Sequence, residues 1–320
     1  MKDITIIYDT SIASENIGDQ IIMDSVYRNF LDSLPGQIVG LPTHDQIGQE
    51  GRRLLKESSR IFVGGSNLLS SHVLSYRQWK FGIADIMTIN QAVLVGVGWW
   101  QYQSKPDWLT SKVYRRLFSD TYTHSVRDDY TKEMLLKIGI ENVVNTGCPT
   151  MWALDPDQCK RIPCTKGKGV VFTLTDYLPS FSQDLRLVTV LLQSYEDIYF
   201  WPQGSGDQTY LAELMSQIDS RKPINILDSK LKSFDNVFRS GEVEYVGTRL
   251  HAGIRALQNG ARSTIIAIDN RAKEKAKFGF HVIDRKESDM LLDFINRDMA
   301  TDIKIHTREI KLFKEQFLQI

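Results

Sequence analysis

The segment EYVGTRLHAG, Glu244–Gly253, ends a strand at Gly247 and starts a helix within a few residues. A turn of that kind presents unpaired backbone N–H groups and the positive end of a helix dipole. Arg249 adds a planar cation whose fork fits carboxylate or phosphate. His251 adds a group that moves protons near neutral pH. Together they read as an anion site with an acid beside it. Taken alone, the same residues also fit a structural part, with Arg249 paired to an acidic neighbour and His251 capping or packing the helix start.

A second arginine occupies an equivalent place earlier in the chain. In THSVRDD, Thr123–Asp129, Arg127 sits where a strand gives way to a helix for which Asp128 is a suitable N-cap. The other reading pairs Arg127 with Asp128 or Asp129. Two loops follow strands in the same half: NIGDQ, with Asn16, Gly18 and Asp19, and GGSN, with Gly64, Gly65, Ser66 and Asn67. Glycines there let a backbone approach a ligand or turn tightly. Neither loop is a complete dinucleotide or P-loop motif, and ordinary strand-to-helix turn chemistry also accounts for them. In WPQGSGD, Trp201–Asp207, Gln203 and Asp207 suit orienting a ligand hydroxyl or holding Arg249, against a solvated turn as the other reading for Asp207. The aromatics Trp99, Trp100, Tyr102 and Trp108 suit sugar faces, core packing, a dimer contact or a membrane surface.

Positioning these groups requires strand ends, and the pattern supplies them. Apolar runs at Ile4–Asp9, Arg60–Gly64, Ala92–Gly98, Tyr122–Arg127 and Asn142–Thr146 alternate with helical stretches such as Gln20–Leu31 and Asp129–Ile138. Continuously apolar strands fit a parallel sheet covered on both faces. Two prolines, two glycines and no periodicity over Asp155–Gly169 read as a linker at 156–168, between a first domain at 1–155 and a second at 169–320. The second half repeats the alternation at Val170–Thr175, Asp197–Pro202, Ile224–Leu227, Glu244–Gly247 and Ser263–Asp269. The helical Thr307–Leu318 is expected to return to the first domain. The fold class is α/β: two doubly wound domains facing a cleft, with ligands at the carboxyl ends of strands.

Composition narrows the function classes. The 320 residues carry 39 Lys+Arg against 39 Asp+Glu, so the basic surface that duplex nucleic acid requires is absent, and no nucleic-acid partner is expected. The densest apolar run, Ala92–Trp100, is about half a bilayer span. Asp9 interrupts the N-terminal apolar run before a signal-peptide core forms, and Cys148, Cys159 and Cys164 lack metal-binding spacing. A cytoplasmic protein is expected, with no metal and no cofactor.

In order and spacing, these segments resemble the polysaccharide pyruvyltransferase family. The matching pieces are NIGDQ at Asn16–Gln20, GGSN at Gly64–Asn67, SVRD at Ser125–Asp128, GTRLH at Gly247–His251, and IDNRAK from Ile268 with Phe278 downstream. The resemblance implies a glycosyltransferase-B-like pair of Rossmann-like domains. It also implies transfer of a pyruvyl group from phosphoenolpyruvate to a sugar diol, forming a cyclic ketal. Carried over, Arg249, Leu250 and His251, with Gly247 and Thr248, form the donor motif. Arg127 matches the family's first-domain arginine, so the resemblance implies that it grips the same donor. The chemistry of that transfer makes His251 the candidate acid and Asp19 or Asp207 a candidate base. The first domain then serves the acceptor and the second the donor.

Two departures stand out: Gly147-Cys148-Pro149-Thr150 replaces a G-D-P motif, and Arg271 stands where a lysine is common. The acceptor is a saccharide; a lipid-linked one would bring the enzyme to the inner membrane face, with Trp99, Trp100 or Lys273–Lys277 assisting. The alternatives are a nucleotide-sugar-dependent glycosyltransferase of the same fold and a silent sugar-binding protein. Against the first, no Asp or Glu lies between Gly247 and Ile268 to hold a ribose diol.

Overall fold

The computed structural model describes residues 3–76 and 78–318, the side chains of 270 and 271 excepted. The chain divides into two compact units. One comprises Met1–Glu15, Ile22–Trp152 and Ile305–Ile320; the other comprises Asn16–Ile21 and Ala153–Lys304.

In the first unit, strands β1 (Ile4–Asp9), β2 (Gln37–Pro42), β3 (Arg60–Gly64) and β4 (Val93–Val95) form a parallel sheet in the order β2-β1-β3-β4. A parallel pair, β5 (His124–Val126) and β6 (Val143–Asn145), continues beyond β4 through the Val97–Val126 bridge and the Gly96 N–H to Ser125 O bond. The helices are α1 (Ile17–Asn29), α2 (Gln49–Glu57), α3 (Ile83–Thr88), α4 (Trp108–Leu117) and α5 (Asp129–Leu136). Strand β1 is buried along its whole length because layers cover both faces of the sheet. The C-terminal helix Thr307–Leu318 belongs to this unit. Phe317 meets Phe30 and Phe62 with ring centroids 5.6 and 5.0 Å apart, and Gln316 bridges the N–H and carbonyl of Thr123.

The second unit runs α6 (Pro156–Lys160), β7 (Gly169–Thr173), α7 (Phe181–Ser194), β8 (Asp197–Phe200), α8 (Asp207–Met215), β9 (Asn225–Ile226), α9 (Leu231–Val237) and β10 (Val243–Gly247). It continues through α10 (Leu250–Gln258), β11 (Ser263–Ala267), α11 (Asn270–Lys275), β12 (His281–Asp284) and α12 (Leu291–Ile295). Its six parallel strands lie in the order β12-β11-β10-β7-β8-β9. Counted within the unit, that is the 3-2-1-4-5-6 order of a dinucleotide-binding sheet, whose direction of winding reverses between the first and fourth strands, here β7 and β10. In the first unit only the second strand lies outside the first, before the order reverses between β1 and β3. Both units are Rossmann-like, but the two halves do not share one strand order.

Three expectations need adjustment. Strands β2 and β12, not anticipated, are edge strands with half-exposed residues: the apolar stretch of β2 is interrupted by Gly40 and closed by Pro42, and that of β12 is only Val282-Ile283. The stretch at 156–168, expected as a linker, holds α6 and lies inside the second unit. Asp155 accepts the Gln158 N–H at 2.7 Å as N-cap, Pro156 fills the first helical position, and Gln158 bonds the Leu257 and Gln258 carbonyls. An Asp-Pro pair is a helix start as readily as a break. Third, the first turn of α1 clusters with the second unit, where Ile17 and Ile21 pack with Val171, Tyr245 and Ala252. Among the described residues, no helix is long and apolar enough to cross a membrane.

Candidate active site

In the second unit, Gly247 of β10 pairs with Thr173 of β7, where the sheet reverses. Only glycine fits there, because a Cβ would lie 2.5 Å from Thr173 Oγ1 and 2.7 Å from the Tyr245 hydroxyl. The close approach lets Thr173 organise the turn. Its carbonyl accepts the Thr248 N–H at 3.2 Å, and its hydroxyl accepts the Arg249 N–H at 3.2 Å. Tyr245 donates to the Arg249 carbonyl at 2.8 Å, and burial raises its hydroxyl pKa, so it stays neutral. Two N–H groups expected to stand open for an anion are therefore used within the turn. Helix α10 then starts at Leu250 with Arg249 at its N-cap position and no side-chain cap, which leaves the positive end of its dipole uncovered by a carboxylate.

The guanidinium of Arg249 is held on two edges. Nε donates to Leu174 O at 3.0 Å; Nη2 donates to both oxygens of Asp207 at 2.9 and 3.1 Å and to Asp176 Oδ1 at 3.2 Å. The Tyr177 ring lies 4.9 Å from the guanidinium carbon. Among the described residues, Nη1 meets no acceptor. The two carboxylates are not equivalent. Asp207 is fully buried and also accepts the N–H groups of Asp176, Gln203 and Gly204 at 3.2, 2.9 and 2.8 Å, so it is not a solvated turn residue. Asp176 is 27% exposed, and among the described residues its carboxylate bonds only Arg249. Two carboxylates against one guanidinium leave the spot negative, so an anion can join only if Asp176 withdraws. Gln203 is buried, and its Nε2 has no partner among the described residues. The loop carrying Asp176 is anchored further on, where Arg285 donates to Leu178 O at 2.7 Å and to buried Asp184.

The first turn of α1 stands against this turn. Asn16 Oδ1 accepts the Gly18 N–H at 3.0 Å, and a Cβ on Gly18 would lie 3.4 Å from His251 Nδ1. Asp19 is buried in the same turn. Asn16, Gly18 and His251, far apart in sequence, thus share one surface of this unit.

The first unit gathers its own polar cluster at the carboxyl ends of β3 and β4. Gly65 and Ser66 both adopt left-handed backbone, with φ +54 and +57. Such a conformation is costly for serine and is found where a loop's shape is tightly determined. The Gly64–Asn67 turn leaves Asn67 Oδ1 buried without a partner among the described residues. Gly98 leaves room for Arg127: a Cβ there would lie 2.3 Å from Arg127 Nε and 2.7 Å from Asn67 Oδ1. Arg127 Nε donates to Asp128 Oδ2 at 3.1 Å, while its two Nη groups meet no acceptor among the described residues. Asp128 caps α5 as expected, accepting the Thr131 N–H at 2.7 Å.

Several other residues singled out in the sequence find different surroundings. Trp99 is buried with its ring N–H on Gln103, and Trp100 stacks on Tyr76 at 3.7 Å, while Tyr102 and Trp108 are exposed. Lys273 pairs with Asp284, and Lys275 lies over Phe278. Cys148 is buried against the Thr150 hydroxyl. The side chain of Arg271 lies outside the described residues. Sequence reasoning missed Thr173, Asp176, Tyr177 and Gly98. The signal for the first three was the stretch Thr173-Leu174-Thr175-Asp176-Tyr177 at the end of a strand, polar but for Leu174, legible only once β7 is known to flank β10.

Among solved structures, the chain is similar to the S. aureus MnaA–UDP co-structure, at 14% identity and TM-score 0.50 over 95% of this chain and 92% of that one. It is also similar to Methanocaldococcus jannaschii UDP-GlcNAc 2-epimerase in complex with UDP-GlcNAc and UDP, at 10% identity and TM-score 0.53 over 98% of each. At such identities the likeness speaks for fold alone, a glycosyltransferase-B-like pair of Rossmann-like domains. No curated protein matches the sequence. The family model for polysaccharide pyruvyl transferase matches residues 16–270.

Proposed function

The chain belongs to the polysaccharide pyruvyl transferase family and is a transferase; from that premise we propose that phosphoenolpyruvate is its donor and that two hydroxyls of a saccharide receive the pyruvyl group as a cyclic ketal. The observation that supports this reading is the turn after β10, at the point where the second unit's sheet reverses: it carries Arg249, whose Nη1 meets no acceptor among the described residues, and, two residues on, His251, against which Gly18 stands.

Phosphoenolpyruvate carries a carboxylate and a phosphate on a three-carbon body. Arg249 Nη1, the uncapped start of α10 and the unpartnered Gln203 amide supply donors for one such anion, with Asp176 giving way to it. His251 then delivers a proton to the donor's methylene carbon, which becomes a methyl group. Positive character develops on the adjacent carbon, where a saccharide hydroxyl attacks and returns its proton to His251. The C–O bond to phosphate breaks, the second hydroxyl closes the ketal, and its proton leaves with the phosphate. Within the first unit, the Arg127 Nη groups and the Asn67 Oδ1, which meet no partner among the described residues, suit the hydroxyls of a saccharide acceptor.

The test is phosphate release with labelled phosphoenolpyruvate and a saccharide diol, alongside calorimetry with phosphoenolpyruvate and with uridine and guanosine diphosphate sugars. Phosphoenolpyruvate is expected to bind and to be consumed. Arg249→Lys, which retains a cation for Asp207 but loses the fork, should weaken donor binding. His251→Ala should bind the donor and lose about 10²–10⁴-fold in turnover. Binding of a nucleotide sugar with none of phosphoenolpyruvate would refute the proposal.

A further inference from the structure

Helix α4 reads WLTSKVYRRL and holds no acidic residue. Its buried side is Thr110, Tyr114 and Leu117, which turns Trp108, Lys112, Arg115 and Arg116 outward. Trp108 is 72% exposed, with the Lys112 ammonium 5.4 Å from its ring centroid. Arg116 reaches across to α3, donating to the Ile89 carbonyl at 3.1 Å and the Met87 carbonyl at 3.4 Å. On α3, Ile83 and Met87 stand one turn apart and are 83% and 70% exposed. On the other flank, the Val73 N–H bonds Thr110 and His72 pairs with Asp107, which brings exposed Leu74 to the start of α4.

From this arrangement we propose that the outer face of α4, continued by Ile83, Met87 and Leu74, is a docking surface for a bilayer containing anionic lipid. Exposed apolar side chains stand among long cations: the Lys112 ammonium lies by the Trp108 ring, and Arg115 and Arg116 are exposed beside it. That composition suits the boundary between headgroups and acyl chains. A protein partner would instead favour a dry apolar centre depleted of lysine. Asp107, the residue before Trp108, caps the helix through the Thr110 N–H and bonds His72. The chain as a whole has formal net charge +0, so the cations of α4 form a local excess that complements an anionic surface. Trp99 and Trp100, expected at the sequence level to assist membrane contact, are respectively buried and stacked on Tyr76, and α4 takes that part. The helix starts after the loop leaving the carboxyl end of β4, the same end of this unit's sheet as Asn67 and Arg127. A lipid-carried saccharide bound there would be met at the headgroup level. The surface stands independently of which donor the enzyme uses.

The experiment is co-sedimentation of the full chain with phosphatidylcholine vesicles and with vesicles of phosphatidylcholine and phosphatidylglycerol. Binding is expected only to the second, weakening as salt rises. Lys112→Gln with Arg115→Gln should lower the partition coefficient about 25-fold, on the order of fivefold for each cation removed. Trp108→Ser should weaken it in parallel, and if that variant misfolds by circular dichroism, the glutamine pair decides alone. No binding to anionic vesicles, equal binding to both kinds, or full binding by the glutamine pair would overturn the proposal. So would a dimer in light scattering that Trp108→Ser dissociates, because the face would then serve a second copy of the chain.

Discussion

Asp176 and Asp207 both meet the same nitrogen of Arg249, yet neutralising them should have opposite consequences. Asp207→Asn keeps the size of the side chain but replaces one acceptor oxygen with a donor amide. Asp207 Oδ2 receives the Gln203 and Gly204 N–H groups at 2.9 and 2.8 Å, and Oδ1 receives Asp176 N–H at 3.2 Å and Arg249 Nη2 at 2.9 Å. Whichever way the amide turns, it faces donors in a fully buried place. Breaking a buried pair of this kind costs about 3–5 kcal/mol. At the lower bound, the melting temperature should fall by roughly 6–12 °C for a unit of this size. Asp176→Asn, partly exposed and bonded only to Arg249, should cost less than about 1 kcal/mol. It should also lower KM for phosphoenolpyruvate, because the donor's anion no longer displaces a carboxylate. Chemical denaturation of both variants and a donor titration of Asp176→Asn provide the assay. Equal losses of stability for the two variants, or a higher KM for Asp176→Asn with the fold intact, would refute the division between a fixed and a displaceable carboxylate.

Two further outcomes follow from local geometry. Gly98→Ala should push Arg127 aside, since the new Cβ would lie 2.3 Å from its Nε, cutting activity at least tenfold while thermal unfolding stays near that of the parent chain. His124 is buried, with Nδ1 accepting the Leu94 N–H and Nε2 donating to Ser119 O, and burial holds its pKa down at about 4. In the unfolded chain it takes up a proton near pH 6.5, so between about pH 6.5 and 4 the unfolded state binds more protons and stability falls as pH falls. The slope should be about 1.4 kcal/mol per pH unit relative to His124→Gln, measured by denaturation across that window; parallel curves for the two proteins would contradict it.

Much of the architecture was legible in local pattern. The continuous apolar strands, the helix over Thr307–Leu318, the cap at Asp128 and the strand–turn–helix around Gly247–His251 all follow from periodicity and turn chemistry, which act over a few residues. Edge strand β12 escaped because its apolar run is only Val282-Ile283, and β2 because Gly40 and Pro42 read as turn residues inside and at the end of its run. The stretch after Asp155 escaped because Asp-Pro serves equally to open a helix or to break one.

The character of Arg249 was beyond local pattern altogether. The sequence by itself determined that a cation and an imidazole follow a strand end in an α/β chain, and that Asn16, Gly18, Asn67 and Arg127 occupy strand-to-helix turns. Tertiary structure decided what those groups meet: Asp176 and Asp207 on one guanidinium, the first turn of α1 against His251, and Asn67 beside Arg127 around Gly98. The reason is physical. Residue spacing sets which side chains share a face of one helix or strand, whereas the order in which parallel strands pair sets which loops become neighbours, and that order depends on how the covering layers pack rather than on any single segment.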